Sequence, residues 1–356
     1  MAAPLWALNQ GYSAAAVGVM LALFALTQVF LALPAGRYAD RHGLKRPVGL
    51  SVIAATLGAG LAVAWPSFIT LCIAALLTGG ATGAASIALQ RHVGRAANSP
   101  TQLKQVFSWL AIGPAVSNFL GPFAAGLMID HAGFRLAFLL MAVLPLVSWF
   151  WVRGAHELPP VIRPEGEKPG KAWDLMNEPG FRRLLMVNWL LSSCWDVHTF
   201  VVPVLGHERG LSASVIGTLL GAFAIAAAGV RVVLPILASR LQEWAVIAGA
   251  MAATGVLFGI YPFLHAPVAM GLCSVLLGVA LGTVQPMIMS MLHQITPEHR
   301  HGEAVAMRVI AINASSVAMP MLFGLAGAVI GISGVFWVVG AVVAAGTRLA
   351  FKLGGR

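Results

Sequence analysis

The chemistry open to this chain centres on Asp196, an acid near the middle of the apolar segment 184–204. A carboxylate at the centre of a membrane-length helix costs at least about 2.5–3.5 kcal/mol, so it usually faces a cavity or a partner. Arg231, in the following apolar segment, is the expected partner. Such a pair could carry a proton, contact a solute or gate a pathway, and a static structural ion pair is the alternative.

Other polar side chains within apolar segments extend the set of candidates. Arg308 opens the segment 305–329, where it serves either as a gate charge or as a basic anchor at the membrane surface. Uncharged groups near mid-depth could line a solute cavity, or could simply hydrogen-bond neighbouring helices. The candidates for such a cavity are Gln28, Asn118, Asn188, Gln285 and Asn313.

The elements that must position these groups are membrane helices. Of the 356 residues, 59% are hydrophobic and 10% charged, whereas a soluble domain usually carries about 25% charged residues. The sequence therefore predicts an all-α polytopic membrane protein. A bilayer core needs about 20 apolar residues per helix. Eleven segments qualify: 14–35, 48–64, 68–89, 107–129, 136–152, 184–204, 214–237, 245–263, 268–292, 305–329 and 334–351.

The loops between these segments alternate in charge. Nearly all Lys and Arg residues fall in every second loop and in the C-terminal tail, so the net charge of +10 indicates orientation in a membrane rather than nucleic-acid binding. The positive-inside rule places the first basic loop and the C-terminus in the cytoplasm, and eleven helices then leave Met1 outside. The expected location is the cell (inner) membrane, spanned many times.

The first basic loop carries the most specific motif. Its residues Gly36, Asp40, Arg41, Gly43, Lys45 and Arg46 fit the pattern Gly-x-x-x-Asp-Arg-x-Gly-x-Lys/Arg-Arg. This pattern resembles the loop signature of the major facilitator superfamily (MFS) of transporters, in which the loop is a conformational latch on the cytoplasmic side. Asp40 could accept hydrogen bonds from the N-terminus of a neighbouring helix and pair with a nearby arginine. A plain basic turn is the alternative, but it does not require the acid at position 40. The second-half counterpart, 234–242, lacks the motif.

An internal repeat supports the resemblance. Residues 11–18 match 210–217 at an offset of 199, and Gly79 and Gly83 match Gly278 and Gly282. Later in each half the offset is 198, where Gly133 matches Gly331. The full apolar segment 184–204 precedes the second copy, whereas only the short stretch 1–8 occupies the corresponding place before the first. The sequence therefore predicts two pseudo-symmetric bundles with about eleven helices, a twelve-helix MFS fold apparently without its first helix. A late start codon, a truncated gene model or a real deletion would each produce this.

The resemblance implies a division into an N-terminal bundle of five helices (1–152), a cytoplasmic linker (153–182) and a C-terminal bundle of six helices (183–356). It also implies secondary active transport of a small organic solute by alternating access. The stretch 117–126 is similar to a motif of proton-coupled antiporters, with Ser117 and Ala125 replacing two glycines, and close packing of helices through its small residues is the alternative. Proton-coupled export is thus the expected activity, although Ala75 stands where drug exporters carry an arginine.

Motifs for other chemistry are missing from the sequence. It has no glycine-rich phosphate loop, metal-ligand spacing or nucleophile elbow. We therefore expect no enzyme activity, no catalytic residue, no cofactor and no metal. The expected partners are the lipid bilayer, a small-molecule substrate and protons, and we expect no binding to nucleic acid. The protein is expected to be a monomer. A non-transporting MFS-like protein, either a truncated remnant or an assembly factor, is the alternative function.

Overall fold

The computed structural model describes residues 2–159 and 171–354. Within its helices, the side chains at 14–15, 115, 118–119, 122–123, 213–214, 317, 320–321, 324–325 and 328 are outside the description. The described ranges contain helices and no strand, which confirms the predicted all-α class.

Ten α-helices follow one another in the described ranges. The first five are α1 (Ala2–Asn9), α2 (Ala14–His42), α3 (Lys45–Ala64), α4 (Phe68–Ala96) and α5 (Pro100–Val152). The second five are α6 (Pro179–Glu208), α7 (Ala213–Leu237), α8 (Glu243–Ile260), α9 (Pro267–Ile295) and α10 (His301–Phe351). Short 3₁₀ helices occupy Ala172–Asn177, Tyr261–Phe263 and Glu298–Arg300.

Eight stretches of the described helices are long and apolar enough to cross a membrane. They are Ala16–His42, Lys45–Ala64, Phe68–Ala96, Ala124–Val152, Val215–Leu237, Glu243–Phe263, Pro267–Ile295 and Val329–Phe351. The other three predicted segments, 107–129, 184–204 and 305–329, are helical and lie within α5, α6 and α10. All eleven predicted segments therefore fall on helices.

Helices α5 and α10 each contain two of the predicted segments because each is broken at a glycine. Gly133 has φ 79° and Gly331 has φ 74°, inside otherwise helical runs. A residue with a β-carbon rarely adopts this backbone conformation, so glycine permits the chain to turn and begin a second helix. The two glycines are 198 residues apart, as the sequence repeat predicts.

The repeat extends to helix starts and to helix packing. Ser13 and Ser212 cap α2 and α7 with their hydroxyls, each accepting a bond from the backbone N–H three residues on. Capping of this kind satisfies one of the free N–H groups of a first turn. A β-carbon on Gly79 would overlap the Phe24 carbonyl oxygen, and one on Gly278 would overlap that of Phe223. The same glycine contact therefore packs α2 on α4 and α7 on α9.

Helix α1 corresponds to the end of α6. At the offset of 199, Ala2–Asn9 aligns with the last eight residues of α6. Both helices end in the same turn, at Gly11 (φ 82°) and Gly210 (φ 70°). Ala2 and Ala7 are buried in a cluster with Met20, Leu71 and Phe138, among others. The eight residues of α1 thus form two helical turns that correspond to the C-terminal end of α6.

By compactness, the chain divides into two units. Unit 1 contains Met1–Ala96, Val116–Ala172 and Pro297–Ile310, and unit 2 contains Ala97–Ala115, Trp173–Thr296 and Ala311–Arg356. Each unit therefore includes the first turns of a long helix whose remainder belongs to the other: α10 begins in unit 1 and α5 begins in unit 2. The domain boundaries given above remain a prediction.

Candidate functional site

The α2–α3 junction in unit 1 turns at Gly43. This residue has φ 74°, which suits a glycine that ends a helix. A β-carbon there would also overlap the Glu157 carboxylate, which fills the space beside the turn. Glu157 Oε1 accepts hydrogen bonds from Leu44 N (2.7 Å) and Lys45 N (3.2 Å), at the start of α3. Gly43 therefore allows both the turn and the carboxylate that caps the next helix.

Asp40 connects this junction to the start of α10. Its Oδ1 accepts a hydrogen bond from Gly302 N (2.9 Å) and its Oδ2 accepts one from Glu303 N (3.1 Å). These N–H groups belong to the first turn of α10, where backbone donors are free and the helix dipole favours a negative charge. The sequence predicted an acid that could bind a neighbouring helix start, and the structure identifies α10 as that helix.

Arg91 of α4 provides the positive charge beside Asp40. Its Nε donates to Asp40 Oδ1 (2.6 Å) and its Nη2 donates to the Asp40 carbonyl (3.1 Å). The two side chains are 1% and 7% exposed. A buried pair gains little net free energy, but removal of one partner leaves a buried uncompensated charge at a cost of about 3–5 kcal/mol. Both members are therefore needed for the junction to keep this arrangement.

Two glycines allow α2 and α10 to approach so closely. A β-carbon on Gly36 would overlap the Gly302 carbonyl, and one on Gly302 would overlap the Gly36 carbonyl. The latter would also lie 2.8 Å from each Asp40 carboxylate oxygen. Small residues at both positions thus permit the backbone contact that brings the Asp40 carboxylate within reach of the helix start.

Further ion pairs surround this contact. Glu303 accepts bonds from Arg37 Nε (2.8 Å) and Arg300 Nε (2.8 Å). Arg95, one turn beyond Arg91, donates to Glu298 Oε1 (2.7 Å). We refer to Gly36, Asp40, Arg91, Gly302 and Glu303 as the α10 clasp. Of the remaining motif residues, Arg41 and Arg46 are exposed and Lys45 is half-buried. Their gating role remains a prediction.

Sequence reasoning missed Arg91 as the partner of Asp40. Arg91 lies 51 residues from Asp40 and follows the apolar segment 68–89, so it looked like one more basic loop residue. One feature of the sequence distinguishes Arg91 from other basic residues: it continues the helix that carries Gly79 and Gly83. The repeat-related counterparts of these two glycines pack α9 on α7. Glu303 was also missed, because its charge partners come from 266 residues away as well as from its own turn.

In unit 2, the Asp196 carboxylate lies among hydroxyl groups. Its Oδ2 accepts a hydrogen bond from Ser315 Oγ (3.1 Å), and Ser315 Oγ lies 3.2 Å from Ser193 Oγ. Ser193 donates in turn to the Trp189 carbonyl (2.9 Å). A hydroxyl both donates and accepts, so this arrangement can accommodate a charged or a protonated carboxylate.

The predicted ion pair between Arg231 and Asp196 is wrong: among the described residues, Arg231 binds backbone carbonyls instead. Its Nε donates to the Gly282 carbonyl (3.3 Å) and its Nη1 to the Ala111 carbonyl (3.1 Å). Pro286, four residues after Gly282 within α9, has no N–H to occupy the Gly282 carbonyl. Arg231 therefore supplies the donor that the proline removes, and its guanidinium lies 5.8 Å from the Trp195 ring centroid.

The other candidates are distributed between the units. Arg308 is buried in unit 1, with Nη1 at 3.5 Å from Gln90 Oε1. Gln28, also in unit 1, is half-buried and packs against Gly83. In unit 2, Asn188 is buried, while Gln285 and Asn313 are half-buried. The side chain of Asn118 lies outside the described residues. A shared role in binding a substrate remains a prediction.

A second buried network on α6 centres on His198. His198 Nε2 lies 3.0 Å from Ser274 Oγ, and Ser274 Oγ lies 2.9 Å from Tyr261 Oη. The His198 ring stacks on Phe223 with centroids 3.9 Å apart. These contacts join α6 to α7, to α9 and to the 3₁₀ helix Tyr261–Phe263, so the network fixes helix packing within unit 2.

The fold and the loop motif together define the class, which is that of the membrane transport proteins. The family model of the Major Facilitator Superfamily matches residues 1–291 and, in a second match, 184–354. The chain belongs to this superfamily, as its loop motif and repeat predicted.

Solved structures share the fold at low sequence identity. A bacterial homologue of the iron transporter ferroportin, in an outward-facing state, is 18% identical and gives a TM-score of 0.81 over 99% of this chain and 94% of that one. The Escherichia coli fucose:proton symporter gives 0.81 at 13% identity, over 99% and 93% of the two chains. The human organic anion transporter MFSD10 gives 0.78 at 17% identity, over 98% and 88%.

A curated relative is closer in sequence over a shorter stretch. The class B tetracycline resistance protein of Escherichia coli is 35% identical over 141 residues, covering 38% of this chain and 34% of that protein. The match thus spans about a third of the relative's length. Activity and substrate do not transfer with it.

Proposed function

We propose that this protein is a secondary active transporter that exports a small organic solute from the cell by alternating access, driven by protons. Membership of a superfamily of carriers supports transport. The observation that carries the proposal is the α10 clasp, in which a buried acid holds the start of another helix through backbone N–H groups. The partial likeness to a protein of antibiotic resistance supports export of a small organic molecule.

The α10 clasp has the chemistry of a contact that can open. Asp40 makes two bonds to the start of α10, while its bond to Arg91 stays on the α2–α4 side. When α10 withdraws, Asp40 keeps its positive partner and is not left as an isolated buried charge. Opening therefore costs a few hydrogen bonds rather than an uncompensated ion, which suits a reversible latch. On this proposal the clasp lies at the cytoplasmic face, with the C-terminus also inside.

Asp196 is the proposed proton-coupling group. Its described partners include the Ser315 hydroxyl, which can donate to a carboxylate or accept from a carboxylic acid by rotation. Arg231, by contrast, is committed to backbone carbonyls in this structure. A proton can thus join or leave Asp196 without a change of fixed ion pair. Arg308 and the cavity residues are proposed to act in gating and solute binding.

The test is transport by purified protein in proteoliposomes. With an imposed pH gradient, the wild-type protein should accumulate solute against its concentration gradient, and tetracycline is the first probe because of the partial likeness. Asp196→Asn should lose accumulation by about tenfold or more, since an uncoupled carrier only equilibrates its solute. The variant should still exchange labelled for unlabelled solute, because it still presents its site to both sides.

Asp130→Asn is the matched control, because this exposed acid undergoes the same change of charge. It should accumulate solute as the wild type does. If Asp196→Asn also accumulates solute against a gradient, the coupling group is elsewhere. If the wild-type protein moves no member of a panel of small organic solutes in either direction, the non-transporting alternative is favoured.

A further inference from the structure

The start of α5 makes a contact in unit 2 that corresponds, by the internal repeat, to the α10 clasp in unit 1. At the offset of 198, Gly302 and Glu303 align with Lys104 and Gln105. At the offset of 199, Gly36 aligns with Pro235 in the α7–α8 junction. The pieces of the clasp therefore recur in unit 2, although the junction there carries no motif.

The second contact is made by side chains that donate to backbone carbonyls. Lys104 Nζ donates to the Leu241 carbonyl (2.6 Å), and Gln105 Nε2 donates to the Pro235 carbonyl (3.1 Å). Both acceptors lie in or beside the α7–α8 junction, where carbonyls at a helix end are free to accept. In the α10 clasp the helix start instead offers its backbone N–H groups and the junction offers a side chain. In both contacts the helix start donates and the junction accepts. The donors are backbone groups in the α10 clasp and side chains in this second contact.

A buried carboxylate balances the charge of Lys104. Glu243 Oε1 lies 3.7 Å from Lys104 Nζ, and the two side chains are 14% and 6% exposed. The same oxygen accepts from Ser290 Oγ (3.0 Å) and Gln294 Nε2 (2.9 Å). The aligned position of Ser290 in the first half is Arg91. In unit 2 the positive charge therefore lies on Lys104 at the start of α5, whereas in unit 1 it lies on Arg91 of α4.

We propose that Lys104 is a gating residue, and that Lys104, Gln105, Pro235, Leu241 and Glu243 form an α5 clasp that opens and closes in the transport cycle as the α10 clasp does. This role goes beyond the proposed function and rests on it only for the existence of a transport cycle. Lys104 is a positioning residue that holds the α7–α8 junction on α5. Release of its ammonium from the Leu241 carbonyl and from Glu243 lets this junction separate from the start of α5.

Ser108 gives a readout that needs no solute and no gradient. It lies one turn beyond Lys104, is fully buried, and donates to the Lys104 carbonyl (2.7 Å). In Ser108→Cys, the thiol should react with a membrane-impermeant maleimide only when the clasp is open. Labelling is measured on inside-out vesicles, and the parent protein with its three natural cysteines serves as the blank.

Lys104→Met in this background should label about tenfold faster, because a charge-assisted hydrogen bond to a buried group is lost with the side chain's shape retained. Lys104→Arg keeps the charge and should stay within about threefold of the parent. Lys352→Met removes the same charge at an exposed position and should have no effect. A static brace would lower the unfolding temperature and leave labelling of the folded protein at the parent rate, and that result would overturn the proposal.

Glu243→Gln decides the question if Lys104→Met is not recovered in the membrane. It keeps partners for Ser290 and Gln294 but removes the charge that faces Lys104, so labelling should rise about threefold. An unchanged rate in this variant would count against the clasp. Absence of transport by the wild-type protein would overturn the proposed function and not the clasp, because the labelling depends on neither a solute nor a gradient.

Discussion

The α2–α3 and α7–α8 junctions derive from one repeat and hold a neighbouring helix start by opposite chemistry. At the first, a junction acid accepts from the backbone of α10, and Arg91 on α4 neutralises it. At the second, Lys104 on α5 donates to a junction carbonyl, and Glu243 neutralises it. The geometry of contact is thus retained while the charges are rearranged. A missing motif therefore does not show that a repeat-related contact is missing.

The comparison also separates what each contact tolerates. The α10 clasp needs glycine at 36 and 302, because its donors are backbone groups and the backbones of α2 and α10 must touch. The α5 clasp is made by a lysine and a glutamine side chain that reach backbone carbonyls, so its junction can carry Pro235 in place of a glycine. We expect the α10 clasp to tolerate few substitutions at its contact residues and the α5 clasp to tolerate more.

The largest expected effect is at the repeat-related pair Arg91 and Ser290. Arg91→Met leaves Asp40 buried without its positive partner and should destabilise the protein by about 3–5 kcal/mol. Ser290→Ala removes one of three described partners of Glu243 and should cost only about 1 kcal/mol. Thermal unfolding in detergent measures both. Equal losses in the two variants would remove the distinction between the junctions.

An intermediate effect is expected for Gly302→Ala. The added β-carbon would meet the Gly36 carbonyl and the Asp40 carboxylate, so the variant should lose about 1–3 kcal/mol of stability and slow transport. Gly249→Ala in α8 is the control, because its β-carbon would enter open space, and it should be neutral or stabilising by up to about 1 kcal/mol. A Gly302 variant with the control's stability would contradict the close contact described for α2 and α10.

The smallest effect is expected for Glu303→Gln. This side chain loses its ion pairs with Arg37 and Arg300, but the Arg37 side chain is 46% exposed and solvent screens its charge. The cost should be about 1 kcal/mol or less, and it should shrink further in high salt. Unfolding temperatures at low and high salt provide the measurement. A loss above that of Gly302→Ala would show that the surrounding ion pairs, rather than the glycine contact, hold the clasp.

The sequence by itself determined the class, the family and the helical segments. Apolar runs of membrane length need no tertiary contact to be recognised, because the bilayer fixes how many residues a helix needs. The repeat was equally visible, since capping serines and turn glycines act on their own neighbours. The sequence also indicated what Asp40 needs, because an acid in a short basic turn between apolar helices has few partners other than a helix start or an arginine.

Only the tertiary structure decided which residues meet. Arg91, rather than another of the many arginines, pairs with Asp40 because the packing of α2 on α4 through Gly79 places it there. Arg231 binds the carbonyl that Pro286 frees instead of pairing with Asp196, since helix rotation and a proline on a third helix set its surroundings. Such contacts depend on several helices at once, and one-dimensional spacing carries no information about their relative rotation. The α5 clasp was invisible for the same reason, because its acceptors are backbone carbonyls that every residue possesses.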